Sequence, residues 1–122
     1  NSSQWSADFD SPANTTFVNS FEQTYDRTPT LYASQGYDTA LLIGSALKAV
    51  GGDMSKTDMF RAALEKADFA SVRGKFRFGL NHFPIQDFYV RQVMEKENGQ
   101  YGNRLLGKVF TDHQDAYVSE CR

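Results

Sequence analysis

The apolar positions fall into two regimes, one helical and one strand-like, that meet near Gly74. Phe17, Val18, Phe21 and Tyr25 recur at intervals of three and four, which predicts one apolar stripe on a helix. Ser11-Pro12 supplies its N-cap and first turn, and Pro29 disfavours continuation past Asp26-Arg27-Thr28. A second helix is predicted from Leu31 or Tyr32 to Val50. Its middle, Ala40 to Gly44, is apolar nearly all round, so burial on more than one side is expected, with Gly36 and Gly44 suited to close packing. Gly51-Gly52 ends it. A third helix opens on Ser55-Lys56-Thr57-Asp58, which is similar to a capping box, and carries Met59, Phe60, Ala63, Leu64 and Ala67 on one face.

Beyond Gly74 the period drops to two. Lys75 to Phe78 alternates as a half-buried strand does, and Asn81 to Pro84 breaks it. Gln86 to Lys96 alternates again, Glu97 to Gly102 is turn chemistry, and Arg104 to Thr111 returns as a strand. The last two strands are expected to form an antiparallel hairpin. The tail from Asp112 to Arg122 is polar, with room for a helical turn. The fold class that follows is α/β, about three helices followed by three or so strands. Yet the only aliphatic run, Leu41 to Ile43, lies in a helix, whereas a buried parallel sheet needs such runs in its strands. Helices fit to cover a sheet are present without a sheet long enough to be covered, so the chain is expected to be part of something larger.

Composition agrees. The 122 residues suit one domain, but Leu, Ile, Val and Phe supply little over a fifth of them, so the core must draw on the six Tyr, ten Phe and single Trp. A net charge of −2 without a basic block excludes a nucleic-acid surface. No stretch approaches the roughly 18 apolar residues of a membrane span, and no signal segment is read in the sequence, so any targeting signal is expected to have been removed or never included. Cys121 has no partner in the chain, which leaves a free tail thiol or a lost disulfide.

Catalytic and metal chemistry find little footing. His82 and His113 lie in no metal-like spacing, Gly51-Gly52 lacks the rest of a phosphate loop, and no serine sits in a glycine-flanked elbow. Asp8 and Asp10 form an isolated acidic pair. Asn1-Ser2-Ser3 and Asn14-Thr15-Thr16 match the glycosylation acceptor pattern. An enzyme, a cofactor and a metal are therefore not expected. Two segments remain as candidates. Ser34, Gln35 and Tyr37 bring hydroxyl, amide and phenol groups to the first turns of the second helix, where a small polar ligand can be bound; Tyr37 can equally be a core aromatic. Asn81 to Tyr89, with Pro84, Ile85 and Gln86 at its centre, suits either a hinge between two lobes or an ordinary loop.

The order of these segments resembles a known family. Ser11 to Pro29, then Tyr32 to Gly52, then Met59 to Val93 resemble the C-terminal part of the solute-binding proteins of ABC transporters, of the type I periplasmic, Leu/Ile/Val-binding kind. Gln35-Gly36-Tyr37-Asp38, Ala62-Ala63-Leu64, Val72 to Phe76, and Asn81-His82 leading to Pro84-Ile85-Gln86-Asp87 carry the likeness, which runs from about Trp5 to the terminal Cys. The resemblance implies two doubly wound α/β lobes joined by hinge strands and closing on a ligand. It also implies a periplasmic or other extracytoplasmic location and a membrane permease as partner. This chain would be the last third: residues 11–79 in one lobe, and 80–122 forming the hinge-crossing strand, hairpin and tail. Most ligand contacts would precede Asn1, leaving Ser34 to Tyr37 and the crossover near Gln86 to border the cleft. The implied ligand is a branched-chain or other amino acid, or an aromatic acid. The alternative is a small self-contained α/β interaction domain, pairing through its strand edges as a dimer. Self-association of the chain alone is expected from its uncovered helix faces.

Overall fold

Helix boundaries sit where local chemistry puts them. The computed structural model describes residues 1–121. In α1 (Pro12–Tyr25) the Ser11 side chain accepts from the Asn14 amide, and Asp26 closes the helix in a left-handed conformation with its N–H on the Glu22 carbonyl. In α2 (Leu31–Ala49) Thr30 caps by accepting from the Ala33 amide. The Gly52 amide then reaches back to Leu47, with Gly51 and Gly52 both at positive φ. The third helix, α3 (Thr57–Lys66), departs from expectation at its start. Lys56 stands at its N-cap without a side-chain bond, because the Ser55 hydroxyl is donated to the Asp53 carboxylate at 2.6 Å. The aspartate two residues upstream accepts from both the Ser55 amide and its hydroxyl, which turns that side chain away from the helix amides.

Burial of α2 also differs from the sequence pattern. Ala46 and Val50 are buried, but Ile43 is exposed, and a Cβ placed on Gly36 or Gly44 meets nothing within 4 Å. Only α3 runs alongside it, so the apolar middle of α2 lies open among the described residues.

One sheet gathers the strands. β3 (Pro84–Glu95) is its centre. Along one edge it pairs antiparallel with β1 (Ser2–Ser3) and with β2 (Arg77–Phe78); along the other lies β4 (Tyr101–His113). The hairpin of β3 and β4 is the one expected, though longer at its far strand. β1 is new: Ser-Ser-Gln offers no alternation to read, and its pairing is with a strand almost ninety residues away. Pro84 opens β3 instead of interrupting it, since the first residue of a strand tolerates a missing N–H. The register of β3 against β4 shifts between Gln86 and Phe88, between Phe88 and Tyr89, and between Val90 and Arg91. Each shift places a surplus residue on β4, which bends and twists the hairpin. A 3-10 turn over Val118–Glu120 supplies the expected helical turn in the tail; Arg122 lies outside the described residues.

The core is aromatic, as the composition requires. Trp5, Phe17 and Val72 form its buried centre, with Phe9, Phe21, Leu31 and Tyr37 packed around it. Trp5 meets Phe17 edge to face at 6.0 Å. Asn14 holds this centre together. It is fully buried, its Oδ1 accepts the Trp5 indole N–H at 2.7 Å, and its Nδ2 faces the carbonyls of Ser6, Ala7 and Phe9 at 3.1 to 3.4 Å. In the folded chain it is therefore closed to glycosylation.

Leaving buried partners unsatisfied costs about 1–3 kcal/mol for each group. We therefore expect Asn14→Ala to lower unfolding free energy by roughly 3 kcal/mol. Asn14→Asp should cost more, because it keeps the indole acceptor but turns a charged oxygen toward three carbonyls. Urea titration followed by Trp5 fluorescence measures both; an Asp variant as stable as the parent would refute the assignment.

Candidate ligand-binding and hinge site

The three candidate residues at the start of α2 do not share one environment. Ser34 is buried and donates its hydroxyl to the Leu31 carbonyl at 2.6 Å. Tyr37 is half-buried, and its ring lies 4.7 Å from that of Phe17, so it belongs to the aromatic core. Gln35 is half-buried with its amide in no hydrogen bond among the described residues. Beside them Tyr32, which the sequence reading passed over, stands 80% exposed at the helix N-terminus. A row of rings runs from Phe17 through Phe21 to Tyr25 along α1, at spacings of 5.9 and 4.5 Å. With Tyr37 and Ala33 these rings line an open groove of about 310 Å³.

A larger cavity, about 460 Å³, separates the helices from the hairpin. Its helical wall is Val18, Glu22, Leu31 and the connection Thr28 to Thr30; its far wall is Arg91, Lys96 and Tyr101 to Asn103, with Trp5 and Asp8 at the base. The wall carries both signs of charge. The Arg91 guanidinium donates to the Trp5 carbonyl at 2.9 Å and to the Asn1 side chain at 3.0 Å, and burial lowers its pKa, opposed by nearby Asp8. The Lys96 ammonium reaches the Thr28 hydroxyl at 3.3 Å, and that hydroxyl donates to Glu22 at 3.0 Å. Asp8, read from sequence as one of an isolated pair, instead accepts from the Leu105 amide at 2.9 Å.

The candidate hinge residues lie at the start of β3. Ile85 and Gln86 are buried and Pro84 is half-buried. Around them stand two polar clusters that the sequence reading did not single out. In the first, the Asp38 carboxylate, 1% exposed, accepts from the Ser71 hydroxyl at 2.6 Å, the Val72 amide at 3.0 Å and Arg73 Nε at 2.8 Å. Arg73 Nη1 donates onward to Gln86 Oε1 at 3.1 Å, while its guanidinium lies 4.4 Å from the Phe76 ring centre. In the second, buried Asp87 pairs with the Lys108 ammonium and accepts from the Asp112 amide at 2.9 Å and the Tyr89 hydroxyl at 3.4 Å. The signal for the first was the one acidic residue of α2; for the second, no local signal existed.

His82 meets Glu65 at 3.5 Å on the surface, and among the described residues no group of three His, Cys, Asp or Glu is placed to hold a metal. No helix is long and apolar enough to cross a membrane among the described residues.

Residues 1–100 match the family described as periplasmic binding protein. The chain belongs to that family. Solved structures agree in fold. An ABC-transporter solute-binding protein from R. palustris, in complex with benzoate, is 36% identical with a TM-score of 0.83 over 94% of this chain. A solute-binding protein from Rhodopseudomonas palustris BisB5, in complex with 3,4-dihydroxybenzoic acid, is 28% identical with a TM-score of 0.80, again over 94% of this chain. An ABC-transporter substrate-binding protein from Sphaerobacter thermophilus is 25% identical with a TM-score of 0.82 over 91% of it. This periplasmic binding protein chain spans 31% of the length of each of those three. No curated protein sequence matches it. The three helices and antiparallel sheet are thus a fragment of the periplasmic binding protein fold, and the relatives are transport proteins, not enzymes.

Charge linkage at Asp87 gives a test. Burial raises its pKa, but the Lys108 ammonium, the Asp112 amide and the Tyr89 hydroxyl together outweigh burial and leave it below the ordinary value of 3.8. A carboxyl lowered on folding adds stability above its unfolded pKa, and that stability is lost as pH falls through the folded value. Stability should therefore be flat above about pH 5 with respect to this group and fall below about pH 4. Lys108→Met should lessen the acid-dependent loss and lower stability at pH 7, read by urea unfolding at a series of pH values. An unchanged acid limb would contradict the pairing.

Proposed function

We propose that the chain is part of an extracytoplasmic receptor that captures a small aromatic carboxylate and delivers it to an ABC permease. The observation that carries this reading is 36% identity, across 94% of the chain, to a solute-binding protein in complex with benzoate. A second neighbour in complex with 3,4-dihydroxybenzoic acid supports the same class. Both favour an aromatic acid over a branched-chain amino acid, and the family match leaves the self-contained interaction domain without support.

In this reading residues 11–79 belong to one lobe and 80–122 carry the crossing strand, hairpin and tail, with Pro84, Ile85 and Gln86 at the crossing. The ligand borders the N-terminal end of α2. The helix dipole there favours a carboxylate, and Gln35 with exposed Tyr32 offers an amide and a ring face. Tyr37 shapes that border from the core side, and Ser34 fixes the first turn through its bond to Leu31. The cavity between helices and hairpin supplies the space that opens and closes as the lobes move.

Calorimetry on the whole protein as its gene encodes it tests the reading. Benzoate and its hydroxylated forms should bind with Kd near about 1 μM, equivalent to about 8 kcal/mol, and leucine at least about 100-fold more weakly. Leucine binding tighter than every aromatic acid would return the protein to the amino-acid class, and binding of none of them would remove the receptor assignment.

A further inference from the structure

The residues on either side of one peptide bond in β3 are tied to different parts of the molecule. Gln86 and Asp87 are neighbours, and alternation along a strand sends their side chains to opposite faces. Gln86 is held through Arg73 to Asp38 of α2, while Asp87 is held by Lys108 and by the Asp112 amide, both of β4. The ladder between β3 and β4 is irregular from this point: register shifts fall between Gln86 and Phe88 and again between Phe88 and Tyr89, and Asp112 sits at positive φ. The bulge leaves the Asp112 amide without its regular strand partner, and the Asp87 carboxylate accepts it.

Arg73 is suited to bridging. Its side chain is 9% exposed, its plane is fixed against the Phe76 ring, and two different nitrogens aim at two different acceptors. A lysine ammonium on a flexible stem does not reproduce that fork.

We propose that Arg73 is a positioning residue that makes Gln86 move with the helical lobe, so that bending of β3 is confined to the bulged stretch beginning at Asp87. This rests on the two-lobe reading given above. The hinge is then a defined peptide between two clamps, one directed to α2 and one to β4, and the candidate ligand segment at the start of α2 is joined to it through Asp38. Ligand-induced strain at that helix end reaches β3 through three side chains, Asp38, Arg73 and Gln86.

Hydrogen exchange on the ligand-free whole protein tests this without depending on which solute binds. Arg73→Lys and Gln86→Leu should each speed exchange of the amides from Gln86 to Phe88 by about tenfold, leaving α1 amides around Phe17 unchanged. Gln86→Glu, which gives the guanidinium a charged acceptor, should slow the same amides or leave them at the parent rate. The proposal is overturned if Gln86→Leu leaves those amides unchanged, if Gln86→Glu accelerates them like Gln86→Leu, or if acceleration spreads equally to α1, which would mark ordinary loss of stability. A protein that binds neither aromatic acids nor leucine yet shows this local pattern would refute the receptor assignment and keep the clamp.

Discussion

A carboxylate with almost no access to water, on the inner side of α2, is the constraint around which the helical part is arranged. Asp38 has to be met by donors, because an unpaired buried charge costs several kcal/mol. Its donors come from a single tripeptide. Ser71 and Arg73 supply side chains, and Val72 supplies its amide, which seats the Val72 side chain in the centre of the core beside Trp5 and Phe17. The return of the chain after α3 is thereby fixed, and with it the entry into β2 and β3. Hydrophobic burial alone would not give this register, since it is non-directional. The polar hub specifies where apolar contact is made.

Asn14 does for the first turn of the chain what Asp38 does for its middle. One amide matches an indole donor and three carbonyls in the loop before α1, so a stretch without regular structure is ordered by a single side chain. Sequence reading met Asn14 only as a glycosylation pattern, because nothing local announces a residue whose partners are loop carbonyls five to eight positions away. The same holds for β1, whose polar residues gain their strand character from a distant partner. By contrast the three helices, the hairpin and their turns were legible, since each is set by spacing and capping within a few residues. Where local chemistry offered two outcomes, as at Ser55 between accepting from the helix amides and donating to Asp53, the side chain turned to the carboxylate.

The candidate site was legible in part. The segments at Ser34 to Tyr37 and at Pro84 to Gln86 were singled out separately, one for its functional groups and one for its broken pattern. That Asp38 and Arg73 join them follows only from folding, because 35 and 13 positions separate the bonded residues. The open apolar face of α2 has a related cause. Its sequence describes a helix covered on several sides, and the elements that follow in this chain cover one. The three solved relatives are about three times as long as this stretch.

The irregular hairpin has one more implication, for how the strand can change over evolutionary time. All three surplus residues lie on β4, and Leu106 and Val109 are two of the positions skipped by the ladder, both facing solvent. Such a strand stores length. Deleting either residue removes a kink while the pairs at the two ends, Glu95 with Tyr101 and Gln86 with His113, stay matched. An insertion or deletion that would invert every side chain of a regular strand is absorbed here at a bulge, and at Leu106, outside the stretch from Lys108 to Asp112, β4 can drift in length without disturbing the clamp on Asp87.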